Sequence, residues 1–255
     1  WTLGQTDGRE RYLEGHIPGA RFVDLDRELA AAPSRELGRH PLPDREAFQR
    51  TLRSLGVAQD STIVVYDQAQ SFSAARLWWL LRGAGSGSAG RGSERVLDGG
   101  LLAWAAAEHE LSVGNHRAPV PGNVTVEWGV LPTIDIDEAA RFADRGILLD
   151  ARAGERYRGE IEPMDPRAGH IPGAVSAPTS ENLDASGAFL PAAELRARFE
   201  GLGLGDQAPV ASYCGSGITA AHQVLALEIA GYSAALYPGS WSQWTNDPAR
   251  PAATG

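Results

Sequence analysis

The sequence contains no lysine, and its 23 basic residues are all arginines. This absence excludes a Walker A phosphate loop, a lysine Schiff base and any anion site that depends on lysine. Anionic ligands must therefore be bound by arginine side chains or by backbone N–H groups. The chain also has no apolar run close to the roughly 18 residues that a transmembrane helix needs, so we expect no membrane-spanning segment.

Cysteine and positive charge are scarce as well. The single cysteine, Cys214, cannot form an intramolecular disulfide, which predicts a reducing, cytoplasmic location. The net charge of −9 disfavours a nucleic-acid-binding surface, because such a surface needs a basic stripe. We therefore expect neither nucleic acid nor membrane among the partners of this 255-residue chain.

The sequence carries an internal duplication. Gly-His-Ile-Pro-Gly-Ala occurs at 15–20 and again at 169–174, and an identity of this length within one chain indicates a repeated unit. The segment Val64–Asp67 likewise parallels Ala211–Cys214, so Asp67 corresponds to Cys214. His16 and His170 occur in both copies of the first motif, which favours a structural role for both.

Each copy alternates short apolar segments with amphipathic ones, which predicts an α/β fold of two tandem domains, each a mostly parallel sheet with helices on both faces. The predicted domains are residues 1–118 and 133–255, with a linker at 119–132, and Gly83–Ser93 is typical of a surface loop. The predicted strands are Thr62–Tyr66, Ile147–Asp150, Val210–Tyr213 and Ala234–Leu236; the predicted helices are Arg45–Leu55, Ala74–Arg82 and one opened by a capping box at Asp135 and Glu138. No strand equivalent to Ile147–Asp150 fits before Gly15, so we expect the first sheet to have one strand fewer.

Cys214 stands between a buried strand and an apolar helical segment, in a loop with two glycines. This arrangement points backbone N–H groups and the positive end of a helix at one place, where they stabilise a negatively charged sulfur. A structural cysteine would gain nothing from Gly215 and Gly217, which cost conformational entropy unless the backbone needs them. We therefore interpret Cys214 as a nucleophile.

With these motifs, the sequence resembles the tandem rhodanese-type sulfurtransferases over essentially its whole length. The loop Cys-Gly-Ser-Gly-Ile-Thr-Ala, residues 214–220, looks most like that of the 3-mercaptopyruvate sulfurtransferases, in which valine is typical at the place of Ile218. Relatives that prefer thiosulfate usually have Arg and Lys directly after the cysteine, where this chain has Gly215 and Ser216. The resemblance implies that the N-terminal copy is inactive, and we expect Asp67 to make structural hydrogen bonds.

The resemblance implies that a sulfane sulfur passes from 3-mercaptopyruvate, through a persulfide on Cys214, to a thiol such as thioredoxin or to cyanide. Pyruvate would be released, and neither a metal nor a cofactor would be needed. Arg156 matches the family's substrate arginine, and Arg167 is the candidate for a second one. The remaining predicted substrate-binding residues belong to the loop: Gly215, Gly217, Ile218 and Thr219. Arg152 is expected to form a structural ion pair.

A proton relay proposed in the family combines the loop serine with a histidine and an aspartate. By resemblance, Ser216, His40 and Asp26 take these places, with Asp24 as the alternative aspartate. Plain hydrogen bonding within the loop is the competing interpretation of Ser216 and His40.

The sequence favours sulfur transfer from 3-mercaptopyruvate over three other functions. A cysteine phosphatase of the same fold needs an arginine in its loop, and residues 215–220 contain none. Thiosulfate is the alternative donor, although the loop lacks the cations that would neutralise its double charge. A non-catalytic sulfur carrier or binding module is the alternative of another class.

Overall fold

The computed structural model of the protein describes residues 5–85, 94–118, 120–205 and 207–255. These residues form two compact units. The described residues up to Ala31, between Leu42 and Leu131, and Ser186–Ala188 make up unit 1; those of Ala32–Pro41, Pro132–Ala185 and Phe189–Gly255 make up unit 2. Most of the predicted Gly83–Ser93 loop lies outside the described residues.

Unit 1 contains a parallel pair of strands and five helices in its described part. Its strands are β1 (Ile63–Val65) and β2 (Glu94–Val96), and its helices are α1 (Gly8–Glu14), α2 (Leu25–Glu28), α3 (Arg45–Ser54), α4 (Phe72–Gly83) and α5 (Gly100–Ala106). Helix α3 begins where the carboxylate of Asp44 accepts the N–H groups of Glu46 and Ala47. It buries Phe48 and Leu52, one turn apart on the same face. The predicted helical segments at 45–55 and 74–82 are thus confirmed within a few residues.

Unit 2 is built on a four-stranded parallel sheet in the order β4-β3-β5-β6. Its elements are β3 (Ile147–Asp150), β4 (Val175–Ser176), β5 (Val210–Tyr213), β6 (Ala235–Leu236), α6 (Ile136–Ala140), α7 (Gly154–Tyr157), α8 (Ala192–Gly201), α9 (Thr219–Ile229) and α10 (Ser240–Asn246). The predicted α/β class is confirmed, and β3 and β5 have the predicted bounds. The capping box of Asp135 and Glu138 at the start of α6 is also confirmed. None of the helices in the described part of the chain has the length and apolar character needed to cross a bilayer.

The repeated Gly-His-Ile-Pro-Gly-Ala motif makes the same contacts in both units. The ring of His16 stacks on Tyr12 at 4.1 Å between centroids, and its Nδ1 lies 2.7 Å from the Tyr12 carbonyl oxygen. The ring of His170 stacks on Tyr157 at 3.7 Å, and its Nδ1 lies 2.8 Å from the Tyr157 carbonyl oxygen. These matching contacts explain both histidines as structural residues.

Candidate active site

Cys214 follows β5 directly and lies at the start of a five-residue turn into α9. The sulfur is the acceptor of a hydrogen bond from the N–H of Gly217, with 3.1 Å between nitrogen and Sγ. Gly217 has φ of +82°, and a Cβ there would lie 2.5 Å from the carbonyl oxygen of Pro238. Glycine is therefore required at this position, because only glycine combines this backbone with so close an approach. The turn thus delivers a backbone dipole to the buried thiol.

The first turn of α10 holds the cysteine loop from its other side. The N–H of Trp241 donates to the carbonyl of Cys214 at 2.9 Å, and the N–H of Ser242 donates to that of Gly215 at 2.9 Å. The N–H of Cys214 donates to the hydroxyl of Ser240 at 3.1 Å. These bonds satisfy the polar backbone of a buried loop and fix the direction of the thiol.

His40 and Ser216 meet beside this loop, although they are far apart in the sequence. His40 Nδ1 lies 2.7 Å from Ser216 Oγ. Both belong to unit 2, because the segment 32–41 packs with that unit. An imidazole and a hydroxyl at this distance can pass a proton between them.

Arg156 also lies at the cysteine loop. A Cβ on Gly215 would be 3.5 Å from Arg156 Nη1, so the absence of a side chain at residue 215 leaves room for the guanidinium. Arg156 Nη2 donates to Glu162 at 2.6 Å and to Asp165 at 3.3 Å. The two carboxylates hold the arginine in one orientation.

The carboxylate partners of Arg156 are themselves buried. Burial raises the pKa of the Asp165 carboxyl, and the nearby Glu162 adds to that effect, outweighing the opposite influence of Arg39 and Arg156. Arg39 forms an ion pair with Asp165, whose side chain is only 3% exposed. Asp165 therefore links two arginines rather than facing solvent.

Arg152 forms the structural ion pair that its position at a strand end suggested. Its guanidinium donates to Asp150 at 2.7 Å and to Glu162 at 3.2 Å, and both partners are buried. Burial alone would lower the pKa of Arg152, but Asp150 and Glu162 raise it above its usual value. Arg152 thus links the end of β3 to the segment 162–169.

Arg167 has a different environment from the one predicted. Its Nη1 donates to the carbonyl of Arg250 at 2.7 Å, and its Nη2 donates to that of Asp247 at 2.9 Å. A weaker contact of 3.3 Å reaches the carbonyl of Trp244, near the end of α10. The guanidinium therefore satisfies the C-terminal carbonyls of a helix, and the substrate-binding role predicted for Arg167 has no support in this arrangement.

Comparisons with known proteins agree with this geometry. A family model described as "Rhodanese-like domain" matches residues 6–107 and 135–247. The chain belongs to the rhodanese family.

Relatives that align over nearly the whole chain are named as sulfurtransferases. A "Probable 3-mercaptopyruvate sulfurtransferase" of Pseudomonas aeruginosa is 43% identical over 97% of this chain and 87% of its own length. A "Putative thiosulfate sulfurtransferase SseB" of Mycobacterium tuberculosis is 42% identical over 100% of this chain and 89% of its own length. The crystal structure of the 3-mercaptopyruvate sulfurtransferase SseA from Escherichia coli superposes with a TM-score of 0.78 at 34% identity, covering 92% of this chain and 86% of that one. The protein is a tandem rhodanese-type sulfurtransferase.

In the first rhodanese repeat, a carboxylate occupies the place of the thiol. Asp67 stands five residues before α4, as Cys214 stands five residues before α9. Its two oxygens accept hydrogen bonds from four backbone N–H groups and one hydroxyl, those of Ala69, Ser71, Ser73 (N–H and Oγ) and Ala74. The predicted structural hydrogen bonding of Asp67 is confirmed.

The other predicted site residues of this rhodanese lie at the ends of two helices, α2 and α9. Ile218 is buried directly before α9, and Thr219 is the partly exposed first residue of that helix. Asp26 is exposed in the first turn of α2 in unit 1, while Asp24 caps that helix by accepting the N–H groups of Asp26 and Arg27. The roles of Asp26, Ile218 and Thr219 remain predictions.

Sequence reasoning missed Arg39, Glu162 and Asp165. A Cβ on Gly215 would lie 3.0 Å from Arg39 Nη2. Apart from Gly215 and its two neighbours in the sequence, this nitrogen is the nearest heavy atom to that position. The signal that was available is the position of Arg39 next to His40, in a stretch that only the first repeat possesses. Glu162 and Asp165 gave no local signal, because acidic residues in a polar loop are usually solvated.

Proposed function

We propose that this rhodanese transfers a sulfane sulfur from 3-mercaptopyruvate to an acceptor through a persulfide on Cys214. One observation carries the proposal: the Cys214 sulfur accepts the N–H of Gly217 in a strand–loop–helix turn whose Ser216 hydroxyl lies 2.7 Å from His40 Nδ1. A backbone donor at this position stabilises negative charge on Cys214 and on the sulfur that it receives. Arg156 supplies a planar cation for the donor's carboxylate.

The proposed reaction has two displacement steps. The Cys214 thiolate attacks the donor's sulfur, the new S–S bond forms, and the C–S bond of 3-mercaptopyruvate breaks with its electron pair left on carbon. The resulting enolate takes the proton that the donor's thiol brought, which yields pyruvate and the persulfide anion. The acceptor then attacks the outer sulfur, the S–S bond breaks, and the Cys214 thiolate is restored.

The choice of donor rests on the need for this proton. An enolate must be protonated before it leaves as pyruvate, and the His40–Ser216 pair is a proton carrier at hydrogen-bond distance. Sulfite, the product from thiosulfate, can leave as an anion without a proton. The pair therefore favours 3-mercaptopyruvate.

The remaining assignments complete the proposal. We assign residues 1–118 to an inactive repeat, 119–132 to the linker and 133–255 to the catalytic repeat. The loop residues Gly215, Gly217, Ile218 and Thr219 contribute to the donor site. The acceptor is cyanide or a thiol such as thioredoxin, and a reducing cytoplasm suits both the single cysteine and the persulfide.

The proposal is tested by mass spectrometry and steady-state rates on three forms of the protein. The natural protein should gain the mass of one sulfur atom after treatment with 3-mercaptopyruvate, and Cys214→Ser should gain none and transfer no sulfur. Ser216→Ala retains the thiol, so it should form the same adduct about 10² to 10⁴ times more slowly. Rates with 3-mercaptopyruvate and thiosulfate should favour the former in kcat/KM.

Each alternative function has its own result. A higher kcat/KM with thiosulfate identifies that compound as the donor and overturns the argument from the proton relay. An adduct that never passes to cyanide or a thiol indicates a sulfur carrier without turnover. An adduct that persists in Cys214→Ser removes the basis of the whole assignment.

A further inference from the structure

The segment 32–41 is attached to the first turn of α10 and so brings a second arginine to the cysteine loop. The N–H of Arg39 donates to the hydroxyl of Ser242 at 3.1 Å. Gln243 Nε2 donates to the carbonyl of Glu36 at 2.6 Å. Because Ser242 also donates its N–H to Gly215, Arg39 and the loop share one anchor.

Two guanidinium groups converge on Gly215. The site that a Cβ on Gly215 would occupy is 3.0 Å from Arg39 Nη2 and 3.5 Å from Arg156 Nη1. The described hydrogen bonds of these two side chains use other nitrogens, namely Nη1 of Arg39 and Nε and Nη2 of Arg156. Arg39 Nη2 and Arg156 Nη1 therefore both lie close to Gly215, the residue after Cys214, and a planar carboxylate can accept hydrogen bonds from two such groups.

Asp165 forms ion pairs with both of these arginines. One of its oxygens binds Arg39 and the other binds Arg156, and its side chain is almost fully buried. Arg39 and Arg156 keep 26% and 12% of their side chains exposed, so a small ligand can reach them. Their two positive charges are balanced by Glu162 and Asp165, so directed hydrogen bonds rather than net charge must select the ligand.

We infer that Arg39 is a second donor-binding residue, which holds the donor's carboxylate together with Arg156 while Cys214 attacks the sulfur. This inference rests on the proposed function. It places the second cation in the segment 32–41 of unit 2, and not at Arg167, whose two Nη atoms bind backbone carbonyls. A balanced pair of this kind favours a monoanionic carboxylate over a dianion such as thiosulfate.

The experiment compares two alkylating reagents that differ in charge. Iodoacetate and iodoacetamide both form a C–S bond with Cys214 and release iodide, but only iodoacetate carries a carboxylate next to the reacting carbon. The ratio of their rates therefore measures carboxylate recognition without requiring turnover. We expect Arg39→Met and Arg156→Met each to lower the iodoacetate:iodoacetamide ratio by about tenfold or more, since each removes a charge-assisted hydrogen bond.

Arg35→Met is the matched control for Arg39→Met. It removes the same charge four residues away on the same segment, where Arg35 donates an exposed hydrogen bond to the carbonyl of Asn246. Its ratio should stay within about twofold of that of the natural protein. Arg39→Met should also raise KM for 3-mercaptopyruvate by about tenfold with a smaller change in kcat, because the carboxylate is bound in both ground and transition states.

A second variant tests the same geometry without removing an arginine. Gly215→Ala places a methyl group at the meeting point of the two guanidinium groups, so it should lower the reagent ratio as well, with iodoacetamide less affected. An unchanged ratio in both Arg39→Met and Gly215→Ala overturns the role of Arg39 and leaves the Cys214 mechanism intact. Failure of both reagents to modify Cys214 in the natural protein overturns the proposed function itself.

Discussion

At the scale of single residues, Asp67 and Cys214 show how one loop position acquires two roles. Both stand at the end of a strand, five residues before a helix, where backbone N–H groups converge. In unit 1 a carboxylate accepts hydrogen bonds from four N–H groups and from the hydroxyl of Ser73. In unit 2 the acceptor is a sulfur atom, which can gain and lose a partner. In the first repeat, the Asp67 side chain therefore occupies the place where the loop N–H groups converge.

Asp67→Ala tests this interpretation through stability. Five donors would lose their acceptor, so we expect the free energy of unfolding to fall by about 2 to 4 kcal/mol. The kcat/KM for sulfur transfer should change by less than about twofold in the fraction that remains folded. Urea unfolding and steady-state rates measure the two effects.

The control for this change is Asp60→Ala, an exposed aspartate in the same unit. It should alter the free energy of unfolding by no more than about 0.5 kcal/mol. Equal stability of the two variants would mean that the Asp67 hydrogen bonds contribute nothing net.

At the scale of elements, the site depends on how the segment 32–41 packs on α10. Gly38 has φ of +88°, and a Cβ on it would lie 2.7 Å from both the carbonyl oxygen of Gly239 and the hydroxyl of Ser242. The backbone at Gly38 therefore touches the start of α10 directly. His40 and Arg39 follow at once, so their positions are set by this contact.

Gly38→Ala should displace the segment and with it His40. We expect kcat/KM to fall by about tenfold or more, because general acid–base groups act only at hydrogen-bond distance. The free energy of unfolding should fall by about 1 to 3 kcal/mol as the left-handed backbone becomes strained. Stopped-flow rates and urea unfolding provide the measurements.

Gly114→Ala is the control that introduces the same backbone strain without disturbing the contact between Gly38 and α10. Gly114 has a nearly equal φ of +85°, but a Cβ there meets nothing within 4 Å. In Gly114→Ala the free energy of unfolding should fall by about 1 kcal/mol from backbone strain alone, and the rate of sulfur transfer should be unchanged. A matching loss of rate in both variants would contradict the role of the Gly38 contact.

At the scale of the whole molecule, the duplication is visible in the structure as repeated chemistry. The hydroxyl of Tyr66 accepts the N–H of Ile17 at 3.2 Å, and that of Tyr213 accepts the N–H of Ile171 at 3.1 Å. Tyr213 is fully buried, whereas Tyr66 is partly exposed. Burial raises the pKa of the Tyr213 hydroxyl far above its ordinary value, with Asp150 adding to the shift.

Tyr66→Phe and Tyr213→Phe should therefore lower the free energy of unfolding by different amounts, although the two residues occupy equivalent positions in the repeats. Each leaves an isoleucine N–H without its acceptor, but Ile171 is fully buried and its N–H cannot turn to water, whereas Ile17 is partly exposed. We expect losses of about 1 kcal/mol for Tyr66→Phe and about 2 to 3 kcal/mol for Tyr213→Phe in the free energy of unfolding. Sulfur transfer should be unaffected by Tyr66→Phe. The reverse order of stabilities in urea unfolding would contradict this account.

The sequence by itself determined the duplicated α/β organisation and the strands β3 and β5, and it predicted Cys214 as the nucleophile. These features are local, because hydrophobic periodicity, glycine positions and a repeated motif lie in short stretches of chain. It also identified His40 and Ser216, but through resemblance, since nothing local links residues so far apart.

Only the tertiary structure decided which arginines lie beside the cysteine loop. Arg167 was the candidate for the second substrate arginine, yet its guanidinium donates to the backbone carbonyls of Asp247 and Arg250, directly after α10. Arg39 was not a candidate, yet it reaches Gly215 because the segment 32–41 packs on α10. A guanidinium goes where acceptors are left unsatisfied by the folded backbone, and those acceptors come from segments distant in the sequence.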